Sequence, residues 1–120
     1  LRHLEKGRIV IIAGGTGNPF FSTDSAAALR AAELNCDLLV KGTKVDGVFE
    51  SDPLLNNEAK KFSSISFSEV LEKELAIMDM TAITLCKENN LPILVLDITK
   101  KENLFNALNG DKNIGTKIGK

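Results

Sequence analysis

Three glycines at a strand-to-helix junction are the first residues whose spacing could do chemistry. Gly14, Gly15 and Gly17 follow the apolar run "RIVIIA" and precede an alanine-rich stretch. Such a junction can be a plain turn, or it can bind an anion through backbone N–H groups and the positive end of the helix. It is not a P-loop, because no lysine follows the glycines. It is not a Rossmann fingerprint either, because Phe20 stands where the third glycine is needed.

Two aromatic residues extend this loop. Phe20 and Phe21 lie between Pro19 and the polar stretch "STDS". Adjacent side chains cannot both point the same way, so one could fill the core while the other faces a planar ligand. The loop therefore predicts an anionic ligand with a flat ring, and a simple turn with an aromatic plug remains the alternative.

A second polar loop, "KGTKVDGVFESDP", leaves the end of another predicted strand. It is not an EF-hand loop, because Gly42 and Lys44 stand where the first two acidic ligands should be. It is either two turns in a long loop or part of a binding site, since ligands of open α/β sheets gather outside the carboxyl ends of the strands. Two such loops at one edge could hold two ligands side by side.

The elements that must position these loops alternate between strands and helices. Apolar, β-branched runs predict buried strands at residues 8–13, 37–43 and 93–98, and "GTKIGK" predicts an edge strand at 115–120. Helices are predicted between these strands. The alternation predicts the α/β class, as a three-layer αβα arrangement with a mainly parallel sheet.

Capping residues mark where the predicted helices begin and end. Asp24 or Thr23 can cap the helix "SAAALRAAELN", and Ser66 with Glu69 forms a capping box for the next helix. Asp79 can cap "MTAITLCKENN", and a chemical role for this carboxylate stays open beside the structural one. A final short helix is predicted to end at Gly110.

Composition excludes several classes of protein. The chain has 120 residues, a net charge of −1 and a pI of about 5.9, which suit one domain without a basic nucleic-acid-binding face. No apolar run is long enough to span a membrane. Cys36 and Cys86 form neither a CxxC pair nor a metal site with His3, so two reduced thiols and a cytoplasmic location are predicted.

The first residues read as the end of an amphipathic helix. "LRHLEKG" gives its last turns, and Gly7 is a typical helix stop. Because a domain rarely begins inside a helix tail, we expect residues 1–120 to be the C-terminal part of something longer.

Three stretches, in order, resemble the bacterial uridylate (UMP) kinases of the amino acid kinase family. They are "AGGTGNPFFSTDSAA", "KGTKVDGVFESDP" and "SFSEVLEKELAIMDMTA", and the resemblance runs from about Arg8 to the end. Aspartokinases and glutamate 5-kinases are similar at "VDGVF" but usually carry aspartate where Lys44 stands, and they usually lack "TGNPFF".

The resemblance implies that residues 1–120 are the C-terminal, nucleotide-binding portion of an amino acid kinase domain whose N-terminal half is absent. It also implies a role for each motif. Asp79 would be the catalytic aspartate, which orients a lysine near the transferred phosphoryl group. The ATP pocket would be lined by Thr43, Phe49 and Asp52, with Mg²⁺ held by the ATP phosphates and no metal ligand from the chain. UMP would be bound by Thr16, Gly17, Asn18, Pro19, Phe20, Phe21, Ser22 and Thr23.

The reaction so implied is transfer of the γ-phosphoryl group of ATP to UMP, giving UDP and ADP in pyrimidine nucleotide biosynthesis. Bacterial relatives are typically homohexamers that GTP activates and UTP inhibits. The chain alone is expected to be inactive, because it shows no obvious lysine that would clamp the phosphates. Two alternatives remain: a family member that phosphorylates a carboxylate or carbamate, and a binding protein that lost catalysis, as the molybdenum storage protein did.

Overall fold

The computed structural model describes residues 2–15 and 17–119. These residues form five helices and four strands. In chain order they are α1 (Arg2–Glu5), α2 (Thr23–Glu33), β1 (Leu39–Thr43), β2 (Ser64–Ile65), α3 (Phe67–Glu72), α4 (Met80–Glu88), β3 (Ile93–Asp97), α5 (Asn103–Leu108) and β4 (Thr116–Ile118).

The four strands form one mixed sheet in the order β1-β3-β4-β2. The β1–β3 and β2–β4 pairs are parallel, and β3–β4 is antiparallel. The predicted α/β class with a mainly parallel sheet is confirmed. The prediction of an edge strand at 115–120 is wrong, because β4 lies inside the sheet with Thr116 and Ile118 fully buried.

Helices cover both faces of β3. Ile93 and Val95 pack in one apolar core with Ala28 of α2 and Ile83 of α4. Successive strand residues point to opposite faces, so the fully buried Leu96 needs cover on the second face. Helix α5 packs against β3 and is the element available to supply it. This arrangement accounts for the layered fold.

Helix α2 begins one residue earlier than predicted. The cap is Ser22, whose hydroxyl oxygen accepts a hydrogen bond from the N–H of Ser25 at 3.1 Å. Thr23 and Asp24 were the predicted caps, and both lie in the first helical turn. The prediction was wrong because any of three adjacent polar residues can cap a helix, and the backbone conformation decides which one does.

The caps of α3 and α4 are as predicted. The Ser66 hydroxyl oxygen accepts from the N–H of Glu69 at 3.1 Å, and the Asp79 carboxylate accepts from the N–H of Ala82 at 2.9 Å. Helix α5 ends just before Gly110. These signals depend on residues three apart at most, so sequence alone reveals them.

The predicted strand at residues 8–13 is not formed. None of the described strands pairs with it, and Ile9 and Ile11 are 96% and 90% exposed. A β-branched run becomes a strand only where a neighbouring backbone accepts its hydrogen bonds. Within the described ranges, no helix is long and apolar enough to cross a membrane.

Candidate functional site

The carboxylate of Asp79 joins the N-termini of α2 and α4. One of its oxygens, Oδ1, accepts from the N–H of Ala82 and caps α4. The Ser25 hydroxyl donates to the same oxygen at 3.2 Å, and the Ser22 hydroxyl donates to Oδ2. The two helix N-termini therefore meet at one carboxylate, and the structural part of the Asp79 prediction is confirmed.

These contacts lower the pKa of Asp79. The hydrogen bond from Ser22 is the largest cause. The N–H of Ala82, the hydroxyl of Ser25 and the charge of Lys41 act in the same direction, and partial burial opposes them. Asp79 is therefore a stable anion at neutral pH, which suits a group that orients cations better than one that accepts a proton.

Lys41, which the sequence analysis did not single out, reaches this cluster from β1. Its Nζ donates to Oδ2 of Asp24 at 2.9 Å and to the carbonyl oxygen of Ile77 at 2.8 Å. The signal for it was available, because Lys41 is the one charged residue inside the predicted strand core "LLVKG". A lone charge in a buried strand needs a partner.

The glycine loop holds a backbone conformation that other residues rarely adopt. Gly14, Gly15 and Gly17 have φ values of +88°, +63° and +77°. A Cβ at any of them would meet nothing within 4 Å, so conformation and not space requires glycine there. Downstream, Oδ1 of Asn18 accepts from the N–H of Phe20 at 3.0 Å and orders the turn.

Most of the predicted UMP-binding residues line one shallow concavity beside Asp79. Its volume is about 390 Å³, and its walls include Gly17, Asn18, Pro19, Phe21 and Thr23. Thr16 lies outside the described residues. The Phe20 ring is 91% exposed and free to cover a flat ligand, whereas the Ser22 hydroxyl is engaged by Asp79.

The predicted ATP residues line a larger cavity of about 600 Å³ beyond the end of β1. Thr43, Phe49 and Asp52 line it together with residues 73–77. The Thr43 hydroxyl oxygen accepts from the N–H of Val45 at 2.9 Å, so this side chain also shapes the loop. Lys41 lines the same cavity and thereby connects it to the Asp79 cluster.

The loops that follow β1 and β3 are tied together at this edge. Lys100 Nζ donates to Oδ1 of Asp46 at 2.5 Å, and the N–H of Ile98 donates to the carbonyl of Thr43 at 2.9 Å. The Asp46 carboxylate raises the pKa of Lys100. The loop after β1, which forms part of the wall of the larger cavity, is thus anchored to the segment that follows β3.

Comparisons with known proteins identify relatives of this chain. The profile of the amino acid kinase family matches residues 1–97. The chloroplastic uridylate kinase PUMPKIN of Arabidopsis thaliana is 54% identical over 119 residues, which make up 99% of this chain and 35% of that protein. The chain therefore spans about a third of this curated relative.

Solved structures match nearly the whole chain. The UMP kinase of Bacillus anthracis has a TM-score of 0.94 at 35% identity, covering 98% of this chain and 48% of that one. The UMP kinase of Ureaplasma parvum has a TM-score of 0.92 at 39% identity, covering 99% and 51%. The uridylate kinase of Archaeoglobus fulgidus has a TM-score of 0.78 at 29% identity, covering 98% and 56%.

The resemblance noted in the sequence is confirmed by these matches, as is the fold class. Because the family profile matches residues 1–97, which are most of this chain, the chain belongs to the amino acid kinase family.

Proposed function

We propose that this chain is the C-terminal, nucleotide-binding portion of a UMP kinase, which transfers the γ-phosphoryl group of ATP to UMP and forms UDP and ADP in pyrimidine nucleotide biosynthesis. Its similarity to proteins named uridylate kinase and UMP kinase supports the proposal. The observation that carries it is the contact of Ser22 with Asp79, which brings the predicted acceptor loop to the predicted catalytic carboxylate.

In this proposal the two cavities bind the two nucleotides. UMP occupies the concavity of the glycine loop, where exposed backbone N–H groups and the N-terminus of α2 meet its phosphate. ATP occupies the larger cavity, lined by Thr43, Phe49 and Asp52. The larger cavity lies beyond the carboxyl end of β1, where ligands of open α/β sheets are found.

The proposed mechanism needs no general base. The attacking group is a phosphate oxygen of UMP, which is already ionised at neutral pH, so Asp79 has no proton to remove. The chain's task is to bring two anions into line and to stabilise the charge on the moving phosphoryl group. Asp79, held as an anion by Ser22 and Ser25, is suited to orient a cationic side chain there.

Magnesium is proposed to arrive with ATP, where it neutralises charge on the phosphates. Among residues 2–15 and 17–119, no group of three or more His, Cys, Asp or Glu side chains could hold a metal ion. Mg²⁺ prefers oxygen ligands and keeps several waters, so the proposal has phosphate oxygens of ATP hold it.

Other properties of the complete protein rest on the resemblance alone. They are assembly as a homohexamer, activation by GTP and inhibition by UTP. A cytoplasmic location is proposed from the two thiols predicted to be reduced, and the curated relative described above is named chloroplastic.

The test is an assay of the complete gene product with ATP and each of several acceptors. We expect UDP to form from UMP and no product to form from carbamate or amino acid carboxylates. Phosphorylation of a carboxylate or carbamate instead would favour another branch of the family. Nucleotide binding without turnover would favour a non-catalytic relative.

A further inference from the structure

We propose that Lys41 is a positioning residue, which sets the distance between the acceptor loop and Asp79. This inference rests on the proposed function. Lys41 belongs to β1, whereas its two partners belong to other elements: Asp24 to the first turn of α2, and Ile77 to the segment just before α4. One ammonium group thus joins three parts of the fold.

The two partners of Lys41 lie next to the predicted UMP loop and next to Asp79, the two groups that must be aligned for the reaction. Asp24 directly follows Thr23, the last residue of the predicted UMP loop, and Ile77 precedes Asp79 by two residues. The bond to Ile77 is made to the main-chain carbonyl, so it fixes backbone and not only a side chain. Both contacts are charge-assisted, and the side chains of Lys41 and Asp24 are only 27% and 30% exposed, which strengthens such bonds.

The location of Lys41 connects it to the reaction. Lys41 and the predicted ATP residue Thr43 line the same cavity, and the Lys41 charge also acts on the Asp79 carboxylate. Lys41 therefore stands between the two proposed nucleotide sites. A displacement of about 1 Å between reacting groups can lower a rate about a hundredfold without changing how tightly each substrate binds.

The first experiment replaces Lys41 with methionine in the complete protein, which keeps the apolar stem and removes the charge. We expect kcat to fall about ten- to a hundredfold, while KM for ATP and for UMP changes by less than about threefold. The matched control is Lys117→Met, the same change at an exposed position of β4, which should leave kcat unchanged. A kcat within about twofold of wild type, or a loss confined to KM, would overturn the proposal.

A double-mutant cycle tests the route through Asp24. If Lys41 acts through this carboxylate, Asp24→Asn should also lower kcat about tenfold, and the double variant should be no slower than the slower single variant. Multiplying losses would overturn that route. If Lys41→Met fails to fold, Asp24→Asn tests the proposal in its place, because it keeps the side-chain shape and leaves the bond from Lys41 to Ile77. A wild-type kcat in Asp24→Asn would contradict the proposal.

A readout without turnover separates this inference from the proposed function. Hydrogen exchange of the Ser25 and Ala82 amides reports the two caps that meet at Asp79. We expect both amides to exchange at least about fivefold faster in Lys41→Met than in Lys117→Met. Unchanged exchange would overturn the positioning role. A wild-type protein that does not phosphorylate UMP would instead refute the proposed function, and the exchange rates would still decide the role of Lys41.

Discussion

Ser22 and Asp79 are 57 residues apart in the sequence, and their side chains are hydrogen-bonded in the fold. The Ser22 hydroxyl accepts from the N–H of Ser25 to cap α2 and donates to the carboxylate that caps α4. One hydroxyl therefore links the caps of two helices, and a change in either residue should alter the other's environment.

Replacing Asp79 with asparagine in the complete protein tests its helix-capping role separately from its proposed catalytic role. Asparagine caps a helix about as well as aspartate, so the free energy of unfolding should change by less than about 1 kcal/mol. The amide carries no charge with which to orient a cation, so kcat should fall at least about a hundredfold, with little change in KM for UMP. The control is Glu69→Gln, which neutralises an exposed carboxylate in the first turn of α3. Near-normal kcat in Asp79→Asn would leave Asp79 as a cap only.

Replacing Ser22 with alanine should raise the pKa of Asp79, because the bond from Ser22 is the largest cause of its lowering. A carboxyl group whose pKa is lower in the folded state adds stability above its unfolded pKa, near 3.8, and loses it as the pH falls through the folded value. The stability difference between wild type and variant should therefore shrink below about pH 4, leaving a pH-independent part from the lost α2 cap. Urea unfolding at several pH values measures it, and a difference constant with pH would contradict the prediction.

The complete protein should discriminate between pyrimidine bases. We expect kcat/KM for UMP to exceed that for CMP by several powers of ten, because a site built to hydrogen-bond one base leaves buried groups unpaired with another. Deoxy-UMP is the control, since it keeps the base and changes only the sugar. Comparable values for UMP and CMP would speak against the loop that contains Phe20 and Phe21 as a uracil site.

The two thiols should differ sharply in reactivity. Cys36 is exposed, whereas Cys86 is 1% exposed and burial raises its pKa to about 11. At about pH 8 only about one Cys86 in a thousand is a thiolate, so a thiol reagent should modify Cys36 quickly and Cys86 only on unfolding. In Cys36→Ala the fast phase should disappear. Two fast thiols in the native protein would show that the packing around Cys86 is looser than described.

Residues 1–120 produced alone should be unstable or should aggregate. Ile9 and Ile11 present bare apolar surface, and exposed apolar patches and strand edges favour association. Size-exclusion chromatography and thermal melts measure this outcome. The paired change Ile9→Lys and Ile11→Lys should reduce aggregation of the isolated chain. A monomer with a sharp, cooperative melt would contradict the prediction.

Local signals in the sequence predicted the caps of α3 and α4, but not Ser22 as the cap of α2. Ser66, Asp79 and Gly110 lie next to the elements they begin or end, so their types carry the information. The interior place of β4 and the two-residue strand β2 were missed, because both depend on pairing between segments far apart in the chain. The strand predicted at residues 8–13 failed for a related reason, since no described strand pairs with it.

The site was predictable in outline only. The rule that ligands gather at the carboxyl ends of strands predicted a site at the loop that follows β1, and the resemblance supplied the proposed role of each residue. Neither source revealed that Ser22 binds Asp79 or that Lys41 binds Asp24. These contacts depend on how α2 packs against α4 and against β1, and no pattern within a single element encodes that packing.

The strand register also decides the order in which the sheet can be assembled. Leu39 pairs with Ile93, and Ser64 pairs with Lys117, so each parallel pairing closes a loop of about fifty residues. The antiparallel pairing of Ile93 with Ile118 closes about half that length and should form first, as the template to which β1 and β2 are added. On a ribosome that adds about 5–20 residues per second, β1 is synthesised several seconds before its partner β3 is complete. The sheet closes only once Ile118 has been synthesised.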